Sequence, residues 1–141
     1  MIASLAIGAV APVGLSATNA PDPETLSPQM NYILQCQGCH LADGSGMRGK
    51  VPDLRGKLGL IAQLPEGRAY IGRVPGVANA HLTDAQLARL LNWLVPAMGP
   101  APKRFAPYSA AEVGTLRRNR LQEIRAVREH ILAQTATMPT R

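Results

Sequence analysis

Residues 36 to 40 read Cys-Gln-Gly-Cys-His, and no other feature of this chain restricts its fold so severely. One tight turn presents both thiols, and an imidazole follows directly on the second. That spacing lets the sulfurs meet the two vinyl groups of a porphyrin while the histidine sits beneath the iron, so C-x-x-C-H is the attachment signature of c-type haem. Gly38 leaves the backbone room at the porphyrin edge. Three rival readings of the same residues are weaker. A thioredoxin-like redox pair needs a βαβ setting that this proline-broken, helix-biased chain does not offer. A structural zinc site needs two more ligands, yet there is no second cysteine pair, and His81 and His130 lack the required spacing. A plain disulfide explains neither His40 nor so short a ring.

The 141 residues allow one compact domain with chain left over for tails. Large rigid side chains are scarce, one Trp, three Tyr and one Phe, and a buried haem supplies the missing bulk. The formal charge is +6, and residues 101–141 hold eight Lys or Arg against three Glu, so nearly all of the excess lies at the C-terminal end. No basic stretch is interleaved with aromatics for stacking on bases, which argues against a nucleic-acid partner.

Residues 1–20 are apolar, rich in small side chains and uncharged, ending in Thr18-Asn19-Ala20 ahead of Pro21. They read as a signal peptide cleaved after Ala20, which places the mature chain in the periplasm; an uncleaved anchor is the competing reading. Ser27 and Pro28 then open a helix through Tyr32 that runs to the cysteines. From Leu41 to Gly59 the chain is Gly-rich and reads as an extended loop. Pro65 to Arg73 forms a short helix, and Val74-Pro75-Gly76 a loop. Thr83 and Gln86 make a capping-box pattern ahead of Leu87, Leu90, Leu91 and Leu94, a helix expected to end before Pro96. Ser109 and Glu112 open one further helix by the same pattern, over 109–134, with a broken apolar stripe among arginines.

On CQGCH, Gly44-Ser45-Gly46, Val51-Pro52-Asp53-Leu54-x-Gly56 and the terminal helix LTDAQLARLLNWL, residues 26–95 resemble the class I monohaem cytochromes c. The resemblance implies an all-α fold: a small cytochrome c-like helical domain around one covalent haem c, here with an additional C-terminal basic helix. The divisions expected are a signal peptide at 1–20, the haem domain at 21–96, a proline-rich linker at 97–108 and a basic helix and tail at 109–141. It implies attachment through Cys36 and Cys39, His40 as the proximal iron ligand, the Pro52 carbonyl accepting the other ring N–H of His40, and Leu54 packing on the macrocycle. It also implies that the helix of Tyr32 crosses the last core helix beside Trp93.

One element of the family pattern is missing. The second axial ligand, a Met-Pro pair about nine residues before the cap of the last helix, would fall at Val74-Pro75, and no methionine occurs between Gly49 and Ala97. His81 is the first candidate for the distal ligand and Met47 the second; Met30 and Met98 read as gap-filling side chains. The distal position is therefore vacant or held by an unusual group, and its identity sets the potential and decides between electron transfer and ligand binding. The function expected is single-electron transfer between a redox enzyme and a downstream acceptor: a dehydrogenase, another cytochrome or an oxidase, with an acidic docking surface. Arg48, Lys50, Arg55 and Lys57 flank the expected ring edge and are read as pairing with propionates or meeting that partner. The C-terminal helix is read either as the contact to a partner or anionic membrane surface, or as docked on the haem domain with Arg117, Arg118, Arg120, Arg125 and Arg128 in water. The alternative function is a haem module that binds a diatomic gas or peroxide at an open iron.

Overall fold

A computed structural model describes residues 25–99 and 105–138. The expected signal peptide, the middle of the proline-rich linker and the last three residues lie outside that set. All regular structure among the described residues is helical apart from one antiparallel bridge, Met47 to Val51. The helices are α1 (Pro28–Gln35), α2 (Gln37–His40), α3 (Leu58–Gln63), α4 (Pro65–Arg73), α5 (Pro75–Ala78), α6 (Asp84–Ala97), α7 (Ala110–Arg118) and α8 (Ile124–Ala136).

Local signals set the starts. Ser27 accepts a hydrogen bond from the Met30 N–H with Pro28 at the first helical position. Thr83 and Gln86 satisfy each other's backbone N–H groups as the capping box requires. Ser109 accepts from the Glu112 N–H to open α7.

α6 is the centre of the core. Leu87, Leu90, Leu91 and Val95 are almost wholly buried along one stripe. α1 crosses it, and the Tyr32 ring meets Trp93 edge-on at 5.8 Å between centroids, as the resemblance implied. α7 packs on α6 and α4. There Gly72 gives Leu116 room that a Cβ would take, and Val113 is fully buried. The Arg68–Glu112 ion pair at 2.6 Å and the Arg68 guanidinium lying 3.8 Å over the Tyr108 ring fix the same junction.

Five expectations are corrected. α6 continues through Pro96, because the turn is held otherwise: Asn92 exchanges two side-chain hydrogen bonds with the backbone of Tyr108, Val95 is fully buried, and the Met98 N–H closes onto Leu94. The chain after Val74 forms the one-turn helix α5 rather than a loop, started by Pro75. α3 begins at Leu58, inside the stretch read as loop. The single C-terminal helix is two, because Asn119 leaves helical geometry and the backbone N–H of Leu121 is taken by the carbonyl of Arg73 on α4. Arg117 is also not in water, since its guanidinium donates to the carbonyls of Ala78, Ala80 and Leu82 and reaches Asp84. The basic C-terminal segment is docked by Leu121 and Ile131 as well as by Val113.

Candidate haem site

The C-x-x-C-H turn is a helical turn of its own. Cys36 ends α1 and begins α2, its carbonyl accepting the N–H groups of Cys39 and His40. Neither cysteine is in a disulfide; Cys39 is exposed and Cys36 half-buried. Burial, with a smaller contribution from Cys39, pushes the Cys36 thiol up to about 11. That is the reverse of the lowered pKa a thioredoxin-like nucleophile needs. A Cβ on Gly38 would meet open space, so the outer side of the turn is clear.

Leu41, just past the turn, has φ +51°, the one non-glycine residue in the left-handed region among those described. Such a conformation costs about 1–3 kcal/mol and persists only where surroundings impose it. The constraint here is Tyr32, whose hydroxyl donates to the carbonyls of Leu41 at 2.7 Å and His40 at 3.2 Å. One side chain of α1 thus packs on Trp93 and clamps the backbone that presents His40. The clamp was missed from sequence, where Tyr32 read as an aromatic at a helix crossing; the tyrosine hydroxyl was the available signal.

The irregular stretch 41–57 is held by specific contacts. The Leu54 N–H bonds the carbonyl of Gly44, whose φ of +80° only glycine adopts freely. The Gly56 N–H bonds the carbonyl of Met98, and the Met98 side chain is buried against Gly44. Arg55 ties Asp43 to Asp53, at 2.8 and 2.7 Å, and its hydrogen bonds hold the Asp53 carboxyl down to about 2. Arg55 is therefore engaged by two carboxylates of the loop, with half of its side chain still exposed. This loop brings Pro52 against His40. The His40 Nδ1 is buried with no hydrogen-bond partner of regular geometry; burial lowers the ring's pKa, and the Pro52 carbonyl, acting as acceptor, pulls it back up. A neutral imidazole with one nitrogen turned to a carbonyl is the form that ligates metals.

Beside the loop lies a cleft of about 420 Å³, within the size range of cofactor sites. Val51, Pro52 and Leu54 line it from the loop, Leu58 and Ile61 from α3, Tyr70 from α4, and Arg128 with Leu132 from α8. Cys36, Cys39 and His40 are not in its wall; His40 adjoins it through Pro52. His81 is exposed in the turn before α6, its backbone N–H bonded to Gln35 Oε1, and Met47 is half exposed at the bridge; neither lines the cleft. Val74 caps α5 and packs on the core. The half-buried and exposed thiols, the buried His40 nitrogen facing Pro52 and the adjacent cleft, with apolar side chains and cations among its lining, fit a haem.

A helical body with a C-x-x-C-H turn beside such a cleft is that of a c-type haem protein. Cytochrome c-552 of Thermus thermophilus is 33% identical to this chain over 119 residues, spanning 69% of the chain and 91% of that relative. A second cytochrome c-552 of the same species is 33% identical over 119 residues, with 80% of its length covered. No family model matches, and no solved structure does. The chain belongs to the c-type cytochromes: it is an electron-transfer protein with one covalent haem c, and its partner is another redox protein.

Proposed function

We propose that this protein is a class I monohaem cytochrome that passes single electrons between a periplasmic redox enzyme and a downstream acceptor. Cys36 and Cys39 hold the haem, His40 is its proximal ligand, the Pro52 carbonyl orients His40 and Leu54 packs against the ring. The observation that carries this is the clamped Cys36–His40 turn, with its half-buried and exposed thiols and a buried His40 nitrogen facing Pro52. Covalent haem c supplies a one-electron ferric/ferrous couple. The chain's own part is to fix the imidazole, exclude water from the ring and leave an edge reachable by a partner. Residues 1–20 act as an export signal removed after Ala20, so haem-loaded protein from a maturation-competent host begins at or near Pro21; intact Met1 in that protein contradicts this. Among the described residues no helix is long and apolar enough to cross a membrane.

The distal position is vacant or held by an unusual ligand, with His81 first and Met47 second. One observation favours the alternative, a diatomic gas or peroxide bound at an open iron: Val74, where the family's methionine would fall, is an apolar side chain packed on the core. Spectra of reduced protein with and without carbon monoxide separate the two readings. An unchanged spectrum supports a six-coordinate carrier, and an immediate full shift supports the open iron.

A further inference from the structure

The walls of the cleft divide by chemistry. Leu54, Ile61 and Leu132 make an apolar interior, while Lys50, Lys57 and Arg128 bring cations to the rim. Among the described residues none of these three cations lies within ion-pair distance of a carboxylate. Arg128 and Leu132 are one turn apart on the same face of α8, so one helix supplies a charge and an apolar side chain to one cleft. Ile131 anchors α8 with no exposed surface, which fixes that face in place. Arg128 is half-buried, unlike Arg125 one turn earlier, and adjoins the buried Tyr70.

We infer that α8 is a strap over the cofactor, in which Arg128, backed by Tyr70, neutralises a haem propionate and Leu132 closes the cleft against water. The inference rests on the haem assignment above. Haem c is an apolar disc with two carboxylates on the edge opposite its thioethers. A carboxylate drawn into a half-buried site is costly unless paired, and a planar guanidinium is the side chain best shaped to pair it. Arg55 already pairs with Asp43 and Asp53, whereas Arg128 has no carboxylate within ion-pair distance among the described residues, so Arg128 is the guanidinium of the cleft assigned that role. The basic C-terminal segment then serves the haem as well as the surface.

The test compares haem-loaded full-length wild type, Arg128→Gln, Arg128→Lys and Arg125→Gln, the last removing the same charge from an exposed position of the same helix. Losing a cation beside a propionate favours ferric iron. The midpoint potential of Arg128→Gln should therefore fall below those of wild type and Arg125→Gln, with Arg128→Lys recovering part of the drop. The propionate-bending band in resonance Raman should shift in Arg128→Gln alone of the two glutamine variants. Coincident potentials and Raman bands for Arg128→Gln and Arg125→Gln overturn the inference while leaving the haem reading intact. Wild type that carries no covalent haem overturns that reading first.

Discussion

Tyr32 shows how much one side chain can carry at this site. Its ring sits at the α1–α6 crossing against Trp93, and its hydroxyl holds the carbonyls of His40 and Leu41, one on each side of the Leu41 Cα. Tyr32→Phe keeps the first role and removes the second. It should cost about 0.5–1.5 kcal/mol in a denaturant titration, as a hydrogen bond of this kind does, and should also broaden the distribution of His40 orientations, seen as a mixed spin state in the ferric spectrum. An unchanged spectrum would separate the clamp from the histidine. His40→Ala should leave attachment possible and change the spin state, because it removes the nitrogen proposed as the proximal ligand.

At the scale of elements, the helix starts were the most legible part of the chain. Ser27-Pro28, Thr83 with Gln86, and Ser109 all act locally, within one turn, so sequence alone displays them. The corrected ends and breaks depend on distant partners. Pro96 stays helical because Tyr108 engages Asn92, and α7 stops where Arg73 captures the backbone beyond Asn119. Neither partner is near in sequence. Likewise the motif announced the cysteines and His40, whereas the contribution of α8 to the cleft required knowing where the C-terminal segment folds back. The stripe in that segment, Val113, Leu116, Ile124, Val127 and Ile131, was visible, but the position of Leu121 off it marks the break. Because α8 is held by Ile131, Ile131→Ala should destabilise the protein by about 2–5 kcal/mol in thermal or denaturant unfolding. A loss under about 0.5 kcal/mol, the range of ordinary surface substitutions, would mean α8 is not docked as described. Gly72→Ala should loosen α4 from α7 by forcing Leu116 aside, with a lowered melting temperature as the readout.

For the whole molecule, charge has two separate uses. Part of it is internal: Arg68 and Arg117 are consumed by Glu112, Asp84 and backbone carbonyls, and so belong to stability. The hydrogen bond from Arg68 holds the Glu112 carboxyl below its usual range. A depressed carboxylate stabilises the fold above its unfolded pKa, about 4.3, and that contribution is lost as pH falls through the folded value. Glu112→Gln should therefore cost about 1–2 kcal/mol near neutral pH, the lower part of the range for charge-assisted bonds because the site is partly wet. The deficit should shrink in more acidic buffer, and a constant deficit would assign the effect to packing. The exposed remainder, Arg118, Arg120 and Arg125 among it, is available to steer an acidic redox partner. Reduction by that partner should then slow steeply as salt rises past about 0.1 M, and a salt-independent rate would remove the steering role. All of these expectations stand on a haem joined to this chain by Cys36 and Cys39. The most direct measurement is the intact mass of denatured protein from a maturation-competent host, after acid and organic extraction, for wild type and for Cys36→Ser with Cys39→Ser. The account predicts polypeptide plus one haem for the wild type and bare polypeptide for the double variant. Bare wild-type polypeptide, or haem still bonded in the double variant, would contradict it.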